Sequence, residues 1–140
     1  MAEVQHGSVD LAAHRWQHRL VLVFAPATSD TDYNAQLAIL AGREPDNDDR
    51  DLLIGTFPAQ GTGQFNDQEI APDAIATLRQ QLAVQEDGFS VLLLGKDGGV
   101  KLRADRPLSA EQIFTTIDRM PMRQQERAAG ANHSGDGAQK

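Results

Sequence analysis

The sequence predicts an α/β protein, a three-layer sandwich in which a mixed four-stranded sheet lies between two layers of helices. Three observations lead to this prediction. Short runs of branched and aromatic residues alternate along the chain with segments of helical periodicity. An Asp-Gly turn joins the last two extended runs, which is typical of a hairpin. The 140 residues are enough for one domain with its own hydrophobic core.

The first half of the chain predicts a β-α-β unit. Residues 20–25 (LVLVFA) form a continuous apolar run that indicates a strand buried on both faces and closed by Pro26. Apolar residues recur at helical spacing over 33–40, and Gly42 marks the C-terminal stop of that helix. A second strand is predicted over 51–57 (DLLIGTF), and the Gly- and Gln-rich segment after it is predicted to be a loop.

The second half predicts a helix, a hairpin and a closing helix. Pro72 marks a helix start, because the N–H that proline lacks has no partner in a first turn. Strands are predicted over 89–95 (FSVLLLG) and 100–103 (VKLR), joined by the Asp-Gly turn. The closing helix begins with a capping box at Ser109 and ends or kinks at Pro121.

The resulting order, β-α-β-α-β-β-α, is typical of the thioredoxin fold. Each βα unit predicts parallel pairing through a right-handed crossover, and the hairpin adds an antiparallel edge. We expect a flexible N-terminal arm over 1–13, a thioredoxin-like domain over 14–127 and a disordered tail over 128–140. The tail is predicted because its residues include no large apolar side chain.

Composition excludes several classes of function. The net charge of −7 argues against nucleic-acid binding, which depends on clustered Lys and Arg. Without cysteine, the chain cannot hold disulfides, thiolate zinc sites or thiol-based oxidoreductase chemistry. No apolar run approaches the length of about 20 residues that a membrane span needs, so no membrane insertion is expected. We expect no cofactor.

The location stays open at this point. No signal peptide is visible at the start of the chain. The prediction is therefore a cytoplasmic protein as the chain stands, or a periplasmic or secreted protein if a signal was removed.

One segment resembles the active-site region of thioredoxins. FAPATSDT, residues 24–31, is similar to the strand and turn that carry the thioredoxin dithiol. Thr28 and Thr31 stand where thioredoxins keep their two cysteines. Residues 86–89 also depart from the thioredoxin pattern, since no proline stands where thioredoxins place a cis-proline before the third strand.

A longer resemblance covers residues 16–126. It rests on Arg15-Trp16 and Arg19 before the first strand, on Arg50-Asp51, and on the strings VFAP, GKDGGVKLR and IDRMPMRQQE. With these residues the chain resembles a bacterial thioredoxin-like domain of unknown function, related to the DUDES domains of animal sushi-repeat and matrix proteins. The resemblance implies no established activity.

The turn after the first strand is the first candidate site. A strand's carboxyl end meets a helix N-terminus there, which suits an anion, but Ser29 and Asp30 also suit simple capping of the helix. An enzyme without cysteine would use hydroxyls of this turn with a histidine base. The residues predicted for this site are Thr28, Ser29, Asp30, Thr31, Tyr33, His18 and Trp16.

Two residues of that set have other interpretations. His14 and His18 share one side of a helical turn, a spacing that suits a metal, but two histidines without an evident third ligand leave us predicting no metal site. Trp16 is expected to pin the N-terminal arm over the sheet rather than to stack on a ligand.

Cations of the hairpin region form the second candidate. Lys96, Lys101, Arg103 and Arg123 predict a patch for an anion or a partner, with 101 and 103 on the same face of their strand. The alternative is an edge strand whose cations prevent pairing with another chain. The Met-Pro-Met segment 120–122 suits an adaptable binding surface or the end of the core.

The leading hypothesis is a non-catalytic thioredoxin-like binding module that recognises a protein or peptide partner. It depends on a complete fold pattern without redox cysteines. Two alternatives stay open: a cysteine-independent enzyme with a hydroxyl and histidine site, and an anion-binding sensor that uses the cationic patch.

Overall fold

The computed structural model describes residues 10–60, 62–85 and 87–134. The helices are α1 (Leu11–His14), α2 (Thr31–Leu40), α3 (Glu44–Asp49), α4 (Pro72–Leu82), α5 (Ala110–Asp118) and α6 (Pro121–Ser134). The strands are β1 (Arg19–Ala27), β2 (Leu52–Gln60), β3 (Gly63–Phe65), β4 (Gln68–Ile70), β5 (Ser90–Leu94) and β6 (Val100–Ala104).

One mixed sheet organises the fold. Its strand order is β4-β3-β2-β1-β5-β6, and β1 at the centre is parallel to β2 and antiparallel to β5. The β5-β6 hairpin predicted from the Asp-Gly turn is present at one edge. Helices α2 and α5 cover one face of the sheet and α4 covers the other. The predicted thioredoxin-like α/β class is therefore confirmed.

The second βα unit does not form a parallel pair, so that part of the prediction was wrong. Arg79 of α4 donates a hydrogen bond to the carbonyl oxygen of Ala25, close to the carboxyl end of β1, at 3.0 Å. Because α4 brings the chain to this end, β5 starts there, with Ser90 opposite Phe24. The strand must then run back along β1.

The sheet has six strands rather than the predicted four, because the segment predicted as a loop forms the β3-β4 hairpin. Phe65 and Ile70 of the hairpin are buried in the core. Asn66 and Asp67 form its turn with φ of +52° and +66°, the left-handed region that these two residue types tolerate. The additional strands therefore bury two apolar side chains beside β2.

The segment around α2 largely follows the sequence pattern. β1 continues to Ala27, one residue past Pro26. Proline lacks an N–H, but β5 pairs with β1 only as far as Phe24, so no hydrogen bond to β5 is lost at Pro26. α2 ends at Leu40, and Gly42 takes the left-handed conformation of a C-terminal stop, with φ of +76°.

The core lies on both faces of the sheet, and β1 divides its side chains between them. Val21 and Val23 pack with α2 and α5, whereas Leu22 and Phe24 pack with α4. Because both faces are covered, β1 reads in the sequence as an unbroken apolar run rather than an alternating one.

The closing helices confirm the predicted capping box and break. Ser109 Oγ accepts a hydrogen bond from the Gln112 N–H at 3.0 Å, and Gln112 Oε1 accepts one from the Ser109 N–H at 3.0 Å. α5 ends at Asp118, and Pro121 begins α6. Proline is tolerated in that first turn.

α6 continues to Ser134, past residue 127, where the domain was predicted to end. Residues 1–9 and 135–140, which make up most of the predicted arm and about half of the predicted tail, lie outside the described residues. The arm and tail therefore stay predictions. Among the described residues, no helix combines the length and the apolar character that crossing a membrane requires.

Candidate functional site

The first residue of β1 is a fully buried arginine. Arg19 donates two hydrogen bonds of 3.1 Å to the carboxylate of Glu126 on α6, one to each oxygen. A third bond, of 2.8 Å, goes to the carbonyl oxygen of Arg50. Such two-pronged contacts fix both the position and the orientation of a carboxylate. Arg19 therefore fastens α6 to the amino-terminal end of β1.

Lys96, at the turn after β5, is also buried and shares the same carboxylate. Its Nζ lies 2.7 Å from Glu126 Oε2 and 2.8 Å from Asp51 Oδ2. Burial raises the pKa of Glu126, but hydrogen bonds from Arg19 and Lys96 outweigh it and hold that pKa below its ordinary value. We name Arg19, Asp51, Lys96 and Glu126 the basal ion cluster.

A second group of charges lies nearby, where α3, α5 and α6 meet. Asp118 accepts hydrogen bonds of 2.9 Å from both Arg50 and Arg123. Arg123, which is buried, also reaches Asp49 Oδ2 at 2.6 Å. Burial raises the pKa of Asp118, but the two arginines bring it below its ordinary value. Arg123 therefore anchors α6 to α3 and α5.

An open cavity of about 250 Å³ lies against the basal ion cluster. Its walls come from Trp16 and Arg19, from residues 95–97 with Lys101, and from the Met-Pro-Met segment 120–122. The last three residues offer a flexible apolar wall. Met120 also packs against the core, as the alternative interpretation of that segment predicted. We name this space the Trp16 cavity.

Trp16 is 61% exposed, which contradicts its predicted role of pinning the N-terminal arm over the sheet. Its φ of +72° lies in the left-handed region, which is uncommon for a bulky residue. The Trp16 N–H donates a hydrogen bond to the carbonyl oxygen of Lys96. The backbone is thus fastened at the basal ion cluster while the indole stands in solvent.

Two further cations lie near Trp16: Lys101, which lines the Trp16 cavity, and Arg15, which precedes Trp16 in the chain. Lys101 pairs with Asp97 at 2.8 Å. The Nε of Arg15 lies 3.1 Å from the place that a Cβ on Gly98 would occupy, so its side chain covers the hairpin turn. Within residues 10–60, 62–85 and 87–134, no carboxylate pairs with Arg15. Its guanidinium therefore places a positive charge beside Trp16 that no carboxylate of the described ranges neutralises.

The predicted turn site lies at the opposite end of β1. Asp30 Oδ2 accepts a hydrogen bond from the Tyr33 N–H at 2.9 Å, so the helix-capping interpretation holds for Asp30. Asn34 braces the turn through the carbonyl oxygen of Thr28 at 2.9 Å. Tyr33 is buried in the core, whereas Thr28, Ser29 and Thr31 are exposed.

The structure does not bring the histidine and the hydroxyls of that prediction together. His18 and Trp16 precede β1, and the turn follows it. The nine residues of β1 span about 30 Å at the usual rise of a strand. A base must lie within hydrogen-bond distance of the hydroxyl that it activates, so His18 cannot serve this turn.

The four cations of the predicted patch do not form one surface. Lys96 and Arg123 are buried in ion pairs. Arg103 donates to the carbonyl oxygen of Leu82 at the end of α4 at 2.6 Å, whereas Lys101 faces the Trp16 cavity. A register irregularity between Leu93 and Leu94 interrupts the alternation of β6, so the prediction of one shared face was wrong. β6 lies at an edge of the sheet, as the alternative prediction of a cation-bearing edge strand stated.

The comparisons with known proteins give a family and no activity. Residues 10–126 match the family model described as Domain of unknown function (DUF4174). Coiled-coil domain-containing protein 80 of Danio rerio is 29% identical over 134 residues, which cover 84% of this chain and 16% of that protein. Sushi repeat-containing protein SRPX2 of Rattus norvegicus is 31% identical over 119 residues, which cover 82% of this chain and 25% of that protein.

The predicted similarity to animal sushi-repeat proteins is thus confirmed. The chain spans only 16% to 25% of the length of these two relatives. Among solved structures, thioredoxin peroxidase I of Plasmodium yoelii aligns with a TM-score of 0.48 and 12% identity, covering 94% of this chain and 83% of that one.

Proposed function

The chain belongs to the DUF4174 family of domains of unknown function, and from that premise we propose that it is a non-catalytic binding module. Its binding site is the Trp16 cavity. The partner is a protein segment that carries a large apolar side chain next to a carboxylate.

The single observation that carries this proposal is the exposed Trp16 in a left-handed backbone. Left-handed geometry costs an L-residue about 1–2 kcal/mol relative to ordinary helical geometry. Burial does not repay this cost, because 61% of the residue is exposed. Strain that folding does not need is typical of positions that contact ligands.

The chemistry of the partner follows from what surrounds the indole. Met120, Pro121 and Met122 supply an apolar wall that adapts its shape, which suits an apolar side chain. Arg15 supplies a positive charge in a chain whose net charge is −7, which attracts a carboxylate to this place. Tryptophan and arginine are also the residues that most often dominate binding energy at protein interfaces.

Two further facts support a module rather than an enzyme. The chain has no cysteine, so the dithiol that a thioredoxin uses is missing from its usual turn. The relatives are four to six times longer than the matched segment, as is common for proteins that combine several domains. A bacterial source, implied by the resemblance, stays a prediction.

A displayed library of random peptides tests the proposal. The wild-type protein is the bait, and Trp16→Gly is used for counter-selection. We expect enriched peptides to carry Asp or Glu beside a large apolar residue. Arg15→Glu should weaken their binding at least about tenfold, a change of 1.4 kcal/mol. The matched control is Arg106→Glu, an equally drastic charge reversal at an exposed arginine that is not a chain neighbour of Trp16.

Two results would contradict the proposal. One is a selection that enriches no peptide, or only peptides that bind Trp16→Gly as tightly as the wild type. The other is turnover of the purified protein in disulfide reductase, isomerase or peroxidase assays, which would contradict the proposal that the module is non-catalytic. We expect none, because no thiol is present.

A further inference from the structure

A pair of histidines lies on the segment that presents Trp16 and takes no part in the proposed binding. His14 ends α1, and the His18 N–H donates to its carbonyl oxygen at 2.9 Å. This turn places the two rings side by side, with centroids 5.2 Å apart. Nδ1 of His14 lies 3.2 Å from Nδ1 of His18.

The surroundings restrain the ring of His14 and lower its pKa. Its ring meets the ring of Phe65 edge to face, with the centroids 5.2 Å apart. Burial, followed by the charge of His18, lowers the pKa of His14 against an opposing effect of Asp10. A neutral imidazole is the form that binds a metal.

The spacing of the two nitrogens fits a shared metal ion. Two imidazole nitrogens bound to Zn²⁺ at about 2.0–2.1 Å, with a tetrahedral angle between them, lie about 3.3–3.4 Å apart. The Nδ1 atoms of His14 and His18 are separated by 3.2 Å. Without a metal, an Nδ1–H of one ring donates to Nδ1 of the other, so the two nitrogens are already close enough to share one ion.

We propose that His14 and His18 form a two-nitrogen site for a divalent transition metal that favours imidazole, such as Zn²⁺, Ni²⁺ or Cu²⁺. On binding, the proton on the donating Nδ1 moves through water to Nε2 of the same ring. Both Nδ1 lone pairs are then available to the metal. This step moves a proton within one ring and releases none.

The site is open and exchangeable rather than structural. Among the described residues, no group of three or more His, Asp and Glu side chains is placed to hold a metal, so water completes the coordination. The carboxylate of Asp10 is near enough to affect the pKa of His14 and attracts the cation. Mg²⁺ and Ca²⁺, which prefer oxygen ligands, should not bind.

Titration calorimetry on the full chain without an affinity tag tests this site. The probes are ZnCl₂ and NiCl₂, and MgCl₂ is the negative control, because Mg²⁺ is expected not to bind. The variants are His14→Gln and His18→Gln, and the matched control is His133→Gln on α6. Because both rings are only half-buried, the variants should fold, and circular dichroism checks this.

We expect one Zn²⁺ or Ni²⁺ per wild-type chain. Each site variant should lose at least about tenfold in affinity, as metal sites do when a supporting group is removed. His133→Gln should bind like the wild type. Nitrogen NMR should show that zinc shifts the Nδ1 resonances of both histidines. The inference is overturned if the wild type does not bind, or if folded His14→Gln and His18→Gln bind as tightly as the wild type.

Discussion

The backbone N–H of Trp16 donates a hydrogen bond to the carbonyl oxygen of Lys96. The ammonium group of the same Lys96 binds Glu126 and Asp51. The left-handed turn that exposes the indole is therefore joined directly to the basal ion cluster. A stable ionic anchor supports a strained, solvent-facing side chain, which is the arrangement expected of a rigid binding site.

Replacing Trp16 tests whether its backbone is strained. Glycine adopts a positive φ without steric cost, whereas alanine keeps the penalty of an L-residue. Trp16→Gly should therefore be more stable than Trp16→Ala by about 1 kcal/mol. Urea unfolding of the two variants measures the difference. If the alanine variant is equally stable or more stable, the conformation is not strained and the main support for the proposed function is lost.

Removing the charge of Glu126 should weaken the fold. Glu126→Gln leaves the fully buried Arg19 without its counter-charge, which costs about 3 kcal/mol in the free energy of unfolding. The matched control is Glu69→Gln, an exposed residue of β4, which should change stability by less than about 0.5 kcal/mol. Equal unfolding midpoints for the two variants would show that the basal ion cluster contributes little.

Acid should destabilise the protein through Glu126 and Asp118. Both carboxyl groups have a lower pKa in the folded state than when unfolded. Their contribution is therefore complete above the unfolded values of about 4.3 and 3.9, and it is lost as the pH falls through the lower folded values. Unfolding midpoints measured from pH 6 to pH 3 should fall mostly below about pH 4.5. If the unfolding midpoint of Glu126→Gln falls less over this pH range than that of the wild type, part of the acid destabilisation is due to Glu126.

Gly55 in β2 should not accept a side chain. A Cβ at this position would lie 2.5 Å from Cζ of Phe57, which is fully buried. Gly55→Ala should therefore cost about 1–3 kcal/mol, as overpacking of a core does. The control is Gly88→Ala, where a Cβ would meet nothing within 4 Å. Thermal unfolding distinguishes them, and a Gly55→Ala protein as stable as Gly88→Ala would refute the packing of β2 described above.

Local patterns predicted most of the elements, and long-range contacts account for most of the errors. The run 20–25 and the Ser109 capping box depend on neighbouring residues, so both could be predicted from the sequence. The direction of β5 depends on where α4 ends, which no local pattern contains. The β3-β4 hairpin did have a local signal, the polar turn between Phe65 and Ile70, but the Gly and Gln residues around it resemble a loop.

The candidate site was only partly predictable for the same reason. Arg19 and Glu126 are 107 residues apart in the chain, and nothing near either residue specifies the other. A charged residue directly before a fully apolar strand was the one available sign that Arg19 needs a buried partner. Trp16 was included among the candidates, but its exposure follows from a backbone angle that the sequence does not reveal.

Fluorescence of Trp16 tests the central claim most directly, because this is the only tryptophan in the chain. A peptide selected on the wild-type protein is titrated while both the indole emission and the heat of binding are followed. If the peptide occupies the Trp16 cavity, the emission shifts to shorter wavelength with the same dissociation constant as the heat, and Arg15→Glu weakens both. Saturable heat with unchanged emission would place the partner elsewhere and contradict the account.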